Sequence, residues 1–225
     1  MQIMEDAASE LIEAVQQGQA ETVRRLLAEH PGIAGTRKDG MSLLLTARYQ
    51  NDRAMTEALC SSGWPLDVFE AAAFDDADRL RALLAADPAL ARAWSPDGFT
   101  ALHLAAFFGG ADGARVLLDA GADPDVYSRN DFKVAPIHSA AAGREAVARL
   151  LVERGAKVNV AQRHGWMPLH SAAQNGHAQL VNALLAAGAD ANATNDDGVT
   201  AADLARKGGH QAIVDRLTAE AVRPQ

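Results

Sequence analysis

One short pattern recurs along most of this 225-residue chain, and it limits the possible folds more than any other feature. Asp97-Gly98-Phe99-Thr100-Ala101-Leu102-His103-Leu104-Ala105-Ala106 returns as Val134-Ala135-Pro136-Ile137-His138-Ser139-Ala140-Ala141. It returns again as Gly165-Trp166-Met167-Pro168-Leu169-His170-Ser171-Ala172-Ala173, and in decayed form as Asp197-Gly198-Val199-Thr200-Ala201-Ala202-Asp203-Leu204-Ala205. The steps His103 to His138, His138 to His170 and His170 to Asp203 are 35, 32 and 33 residues. A period in that range marks stacked supersecondary units, so local motifs must be read inside the repeat.

Each unit follows from its residues. Asp-Gly at 39–40, 97–98 and 197–198 is turn chemistry, because glycine accepts the positive φ of a tight hairpin. Ser42, Thr100 and Thr200 stand two residues later as N-caps, their hydroxyls placed to accept from free helix N–H groups. Pro136 and Pro168 fall in the first helical turn, where a missing N–H costs nothing. The Ala-Ala pair that follows keeps the helix thin, so a neighbouring unit approaches closely. A break at Gly109, Gly143, Gly176 or Gly209 leads to a second apolar-periodic helix, carrying Val116-Leu117-Leu118, Leu150-Leu151-Val152, Ala183-Leu184-Leu185 or Ile213-Val214. Gly63, Gly121, Gly155 and Gly188 sit where a left-handed C-cap belongs. The unit is therefore turn, helix, turn, helix and an extended return.

Outward from the clear repeats, the His103 position aligns with Ile12, Leu45, Phe69, His103, His138, His170 and Asp203, at steps of 33, 24, 34, 35, 32 and 33. Seven helix pairs follow, the first three degenerate, with boundaries near 6–37, 38–66, 67–95, 96–127, 128–160, 161–193 and 194–220 in one domain over 1–225. The spacing predicts helices over 10–16, 20–29, 43–50, 54–61, 68–74 and 77–86 in the degenerate half. The step of 24 is nine residues short, so a projecting hairpin is expected to be missing after Gly63. His30-Pro31-Gly32-Ile33-Ala34 and Asp87-Pro88-Ala89-Leu90-Ala91 are longer exits, in which proline ends the helix and the next apolar residue packs back on it. In the last unit Leu217-Thr218 replaces the paired leucines and Asp203 the histidine, giving the polar outer face a terminal unit needs. Residues 1–5 and 221–225 are expected to fray.

Composition narrows the function. Alanine supplies 49 residues and aromatics 11, which suits close-packed short helices rather than one thick core. A net charge of -8 argues against a nucleic-acid partner. No basic residue followed by an apolar stretch opens the chain, so no signal peptide is expected, and no apolar run approaches the ~20 residues of a membrane span. Cys60, the only cysteine, excludes an internal disulfide and fits a reducing compartment. It occupies the place of the second leucine of a Leu-Leu pair and is expected to be a buried small hydrophobe. A soluble, cytoplasmic protein with no membrane partner is the resulting expectation. Gly109-Gly110-Ala111-Asp112-Gly113 joins two helices and lacks the Lys-Ser/Thr ending of a phosphate loop. The turn carboxylates Asp39, Asp97, Asp123, Asp125, Asp190, Asp196 and Asp197 sit where aspartate serves conformation. No catalytic constellation is present, so neither an enzyme nor a cofactor is expected.

The repeated pattern resembles the ankyrin repeat, strongly over residues 96–218 and weakly before that. The resemblance implies an all-α solenoid of stacked helix-turn-helix units with short β-hairpin fingers, and recognition of protein surfaces rather than catalysis. Arginine outnumbers lysine 17 to 4, a composition that looks like a high-GC bacterial proteome. In proteins similar to this one the motif histidine bonds across to neighbouring backbone, so His103, His138 and His170 are expected to lock repeat to repeat. Successive units stand about 10 Å apart, whereas tetrahedral zinc needs ligand nitrogens at ~2.0–2.1 Å, so no metal is expected on that ladder. His177 and His210 follow the inter-helix glycine, a position where the family often has histidine.

The resemblance also implies where a partner is met: at hairpin tips and at two exposed positions ending the first helix. Those helix positions hold Tyr49-Gln50, Ala73-Phe74, Phe107-Phe108, Ala142 and Gln174-Asn175, and the hairpin positions include Met41, Phe99, Val134, Trp166 and Val199. Tyr49, Phe74, Phe99, Phe107, Phe108, Phe132, Trp166, Gln174 and Asn175 are accordingly the candidate partner-binding residues, since exposed aromatics grouped on one face are typical of hot spots. The competing reading has Phe107 and Phe108 packing against adjacent hairpins and the others filling gaps left by decayed motifs. The turn of repeat five, Asp125 to Lys133, is two residues longer than its neighbours and projects Tyr127, Arg129, Phe132 and Lys133. Insertions in solenoids map to loops on a binding face, although drift in a surface loop produces the same sequence.

The expected function is a non-enzymatic module that binds a partner protein through its concave face and hairpin tips, as a monomer. Two alternatives remain. One is an inhibitory or regulatory subunit of an enzyme or toxin, using the same face. The other is a small-molecule or peptide sensor built on the aromatic cluster around Phe107 and Phe108. A partner protein buries about 800 Å² per side, whereas a small ligand needs an enclosed pocket.

Overall fold

Helix starts in this protein are set by caps that recur once per repeat. The computed structural model describes residues 2–222. Its helices are α1 (Gln2–Gln16), α2 (Ala20–Glu29), α3 (Leu43–Tyr49), α4 (Arg53–Cys60), α5 (Val68–Ala73), α6 (Ala77–Ala86), α7 (Ala101–Phe107), α8 (Ala111–Asp119), α9 (Pro136–Ala141), α10 (Glu145–Glu153), α11 (Pro168–Gln174), α12 (Ala178–Ala186), α13 (Ala201–Lys207) and α14 (Gln211–Ala221). Strands β1 (Arg37–Lys38) and β2 (Met41–Ser42) pair antiparallel around Asp39-Gly40. The Ser42 hydroxyl accepts from Leu45 N at 3.1 Å, and the Asp52 and Asp76 carboxylates cap α4 and α6 in the same way. Each satisfies one of the donors that a helix N-terminus leaves free. The chain falls into two compact units, Met1–Glu70 with Ser95–Asp97, and Ala71–Trp94 with Gly98–Gln225.

In the first unit α1 packs on α2, α3 on α4, and the pairs meet through α1–α3 and α2–α4. Leu11, Val15, Val23, Leu26, Leu45, Met55 and Leu59 are buried between them. Asp39 and Gly40 both take positive φ (52° and 81°), the signature of a two-residue type I′ hairpin. Only residues 61–67 separate α4 from α5, against 87–100 between α6 and α7, so the expected gap in the fingers is present. Ile33, at the end of the short helical turn Pro31–Ile33, is buried as the exit motif implies. Residues 2–5, expected to fray, are helical, while Met1 and 223–225 lie outside the described residues.

Two readings of this unit change. Cys60 is exposed, not buried. It ends α4 one step past the buried stripe of Met55, Ala58 and Leu59, so it turns toward solvent. The register of repeat three also shifts by one. Asp67 Oδ1 accepts from the N–H groups of Phe69 and Glu70 at 2.8 Å, and Glu70 Oε2 accepts in return from Asp67 N at 2.8 Å. That reciprocal box puts Glu70, not Phe69, three residues after the cap, in the place held by histidine elsewhere. The step to His103 then becomes 33, the regular period.

In the second unit the first helices α7, α9, α11 and α13 pack in series, and the second helices α6, α8, α10, α12 and α14 form the adjoining row. Leu80, Leu102, Leu117, Ile137, Leu151, Leu180 and Leu184 are essentially inaccessible. Small residues permit this approach: a Cβ on Gly109 would stand 2.3 Å from the Ala72 carbonyl oxygen. The later fingers are looser than the β1–β2 hairpin. Trp94 and Thr100 form one bridge and Thr194 and Thr200 another, with Gly98 and Gly198 alone taking positive φ in their turns. The Asp-Gly pairs at 97–98 and 197–198 are therefore not two-residue hairpins of the 39–40 kind. Side chains complete them: Asn195 Oδ1 accepts from Asp197 N and Val199 N at 3.1 and 2.9 Å.

Candidate partner-binding surface

The motif histidines hold the fingers in place. His103 Nδ1 accepts from its own cap N–H, that of Thr100, at 3.2 Å, which leaves Nε2 protonated to donate to Val134 O at 3.0 Å in the next finger. His138 repeats this with Ala135 N (3.0 Å) and Val160 O (3.0 Å), and His170 with Met167 N (3.1 Å) and Val199 O (3.2 Å). One neutral tautomer thus serves a helix cap and a bond between repeats. Burial pushes the His138 and His170 imidazoles below their ordinary range, opposed by the bonds to Val160 O and Val199 O. Asp203 keeps only the local half. Its carboxylate accepts from Thr200 N and Oγ1 at 3.1 and 2.7 Å and from Arg206 at 2.8 Å, contacts that hold it below the usual carboxylate range.

A second set of bonds between repeats was not legible in the sequence. The carbonyls at the ends of α7, α9 and α11 each receive a donor from the following unit. Arg144 donates to Phe107 O and Phe108 O at 3.2 Å, Asn175 to Ala142 O at 3.2 Å, and His210 to Gln174 O at 3.1 Å. Arg144 and His210 both follow an inter-helix glycine, and that shared position was the available signal. His177 has the same position but faces Glu145 at 3.7 Å, and Asn175 takes over the carbonyl.

On this frame the candidate residues separate into groups. Phe99 and Phe132 stack at 6.4 Å with 19° between their planes, and Phe132 is 59% exposed at the tip of its finger. Phe107 and Phe108 meet edge to face at 4.6 Å at the end of α7, with Phe107 52% exposed and Phe108 half-buried. Trp166 is half-buried over His170 (5.6 Å), its indole N–H donating to Ser171 Oγ at 2.8 Å. Gln174 and Asn175 are exposed, although the Asn175 amide N–H groups are engaged by Ala142 O and Ser171 O. Phe74, just past α5, is half-buried. Tyr49 belongs to the first unit, where its hydroxyl donates to Asp97 at 2.7 Å; burial and that carboxylate push the phenol well above its ordinary range.

The first unit also carries a cleft of about 400 Å³, lined by Val15, Met41 and Leu43 with Lys38, Asp39 and Asp97 at its rim. It is not the aromatic pocket around Phe107 and Phe108 that the sensor reading required. Among the described residues, no three His, Cys, Asp or Glu side chains come together to hold a metal ion. Partial desolvation of the sulfur, although the residue is exposed, and the Glu70 carboxylate push the Cys60 thiol up, against Arg48, which disfavours the reactive thiolate. No helix of the described residues is long and apolar enough to cross a membrane.

Stacked helix pairs, finger turns and a histidine ladder define a repeat protein. The family model for ankyrin repeats (3 copies) matches residues 11–128, 68–162 and 137–224, and the chain belongs to that family. Ankyrin repeats are generally protein–protein interaction modules, and the family is typically non-catalytic. The chain is 44% identical over 126 residues (56% of its length) to a protein of Oryza sativa subsp. japonica named probable E3 ubiquitin-protein ligase XBOS31, of which the match covers 28%. It is 39% identical over 72 residues (32% of its length) to human protein phosphatase 1 regulatory subunit 27, covering 47% of that protein. With human SH3 and multiple ankyrin repeat domains protein 2 it shares 36% identity over 107 residues (47% of its length), 6% of that much longer chain. The chain thus spans less than half the length of each of these relatives.

Proposed function

We propose that this chain is a non-enzymatic, monomeric, cytoplasmic binding module that engages a partner protein through its finger tips and the exposed ends of its first helices. The observation that carries this reading is the exposure of Phe107 and Phe132, two large apolar side chains on backbone that the inter-repeat bonds hold rigid. Rigid exposed aromatics lose little entropy on binding and make effective anchors. Phe99, Phe108 and Trp166 support them from half-buried positions. Tyr49, Phe74, Gln174 and Asn175 complete the proposed contact set. A regulatory-subunit role has one observation in its favour, the relative named as a phosphatase regulatory subunit.

Affinity capture with the intact chain and with a Phe107→Ala/Phe132→Ala double variant tests the reading. The expected result is a protein retained by the wild type and lost by a variant that melts at the same temperature. Equal capture by both, with both folded, would overturn it. Light scattering on the purified protein checks the monomer.

A further inference from the structure

The fingers of the second unit form a continuous ridge. Arg129 N donates to Gly98 O at 2.8 Å, the Tyr127 hydroxyl to Ala161 O at 3.3 Å, and Asp196 N to His164 O at 3.0 Å, so fingers four to seven each touch the next. Charge along that ridge is uneven. Arg129, Lys133 and Arg163 lie exposed on fingers five and six, and among the described residues none of the three is in an ion pair. Arginines elsewhere are engaged internally: Arg154 with Asp119, Arg216 with Glu220, and Arg144 with two carbonyls. The Arg129 guanidinium lies 4.0 Å from the centre of the Trp94 ring, a contact that orients the cation without neutralising it. Lys133 sits at φ 51°, just past Phe132 at the tip. The carboxylates on these two fingers are Asp125, whose Oδ1 accepts from Lys157 N at 2.8 Å, and Asp131, while Asp97 belongs to finger four and Asp196 and Asp197 to finger seven. A cationic, aromatic segment therefore stands on a molecule whose net charge is -8.

We propose that this part of the ridge recognises an acidic segment of a partner protein that also carries large apolar side chains. The proposal rests on the binding-module reading and supplies the chemistry of its partner. An apolar side chain would lie against the Phe99–Phe132 stack while neighbouring carboxylates meet Arg129, Lys133 and Arg163. Asp97 on finger four and Asp196 and Asp197 on finger seven would repel a longer acidic run, which limits the length of the segment. A nucleic acid fits less well. Screening confines a short peptide to the local cluster within about 8 Å at physiological salt, whereas a long polyanion also meets the net negative field of the molecule.

Fluorescence anisotropy with the intact chain tests this. The probes are a labelled synthetic peptide of alternating glutamate and leucine, the same peptide with glutamine for glutamate, and a single-stranded oligothymidylate. The acidic peptide should bind about tenfold more tightly than its glutamine counterpart, with the difference shrinking as salt rises. Arg129→Gln/Lys133→Gln/Arg163→Gln should remove that preference, and Asp131→Asn should enlarge it. The Asp131 variant keeps the test valid should the triple variant fold poorly. Equal binding of the two peptides, no response to either variant, a preference for the oligothymidylate, or no binding of the acidic peptide would each overturn the proposal. In the last case, continued loss of a captured partner by the Phe107/Phe132 variant would show that only the charge assignment had failed.

Discussion

A histidine three residues into a helix performs two tasks here, and its protonation undoes one of them. Nδ1 must be a bare acceptor for the cap N–H while Nε2–H donates to the next finger. His138 and His170 have pKa values lowered by burial, so the neutral ring is the folded form. Their contribution is full above the unfolded value of about 6.5 and is lost as pH falls through the lower folded value. Urea melts between neutral pH and about pH 5 should show falling stability, and His138→Ala/His170→Ala should lower stability at neutral pH while flattening that slope. Removal of His170 alone should cost about 1–3 kcal/mol, since Met167 N and Val199 O lose their partner. Glu70 shows the opposite sign. Burial and then Asp67 raise its pKa, so the protonated form is favoured on folding. Its contribution is full below the unfolded value of about 4.3 and is lost as pH rises through the folded value. Glu70→Gln keeps an acceptor for Asp67 N and should raise stability at neutral pH. At pH 4 thermal melts should no longer separate the two proteins.

At the scale of elements, interfaces between units decide which small residues matter. Gly109 and Gly143 occupy equivalent breaks, yet a Cβ on Gly109 meets backbone at 2.3 Å and one on Gly143 meets nothing within 4 Å. Neither has a positive φ. Gly109→Ala should therefore destabilise by about 1–3 kcal/mol through overpacking. Gly143→Ala should be neutral or stabilising by about 0.4–1 kcal/mol through the unfolded chain. Chemical denaturation of the two variants provides the comparison. Leu184→Ala, in the centre of α12 and fully buried, should cost about 2–5 kcal/mol. Hydrogen exchange in that variant should rise in α10 and α14 as well, because neighbouring repeats share the interface.

For the molecule as a whole, the side chains that hold the fold together differ from those proposed to meet a partner. The apolar core is made of leucines and alanines, whereas the largest exposed apolar groups include Phe107 and Phe132. Truncating those two phenylalanines should leave the melting temperature nearly unchanged and weaken partner binding by about 2 kcal/mol or more. Phe108 is a poorer probe, because it is half-buried and its ring packs edge-on against Phe107. A clear loss of stability in the Phe107/Phe132 variant would assign both rings to packing instead.

Much of this architecture was legible because its signals are local. A serine cap, a proline in the first turn, a glycine at a left-handed C-cap and a hairpin glycine each act within about four residues. Their recurrence therefore disclosed the repeats and the missing finger after Gly63, while the resemblance to ankyrin repeats implied the roles of His103, His138 and His170. Tertiary structure decided what depends on distant neighbours. It placed Ser95–Asp97 in the first unit, where Asp97 takes the Tyr49 hydroxyl. It turned Cys60 outward and gave Glu70 the histidine's place. It also brought Arg144, Asn175 and His210 to the carbonyls of the preceding units. The same residue type serves core, cap or surface according to what packs against it. Exposure at Phe107 and Phe132, on which the proposed recognition rests, was expected from their positions in the repeat, but only the folded neighbourhood decided it against the packed alternative.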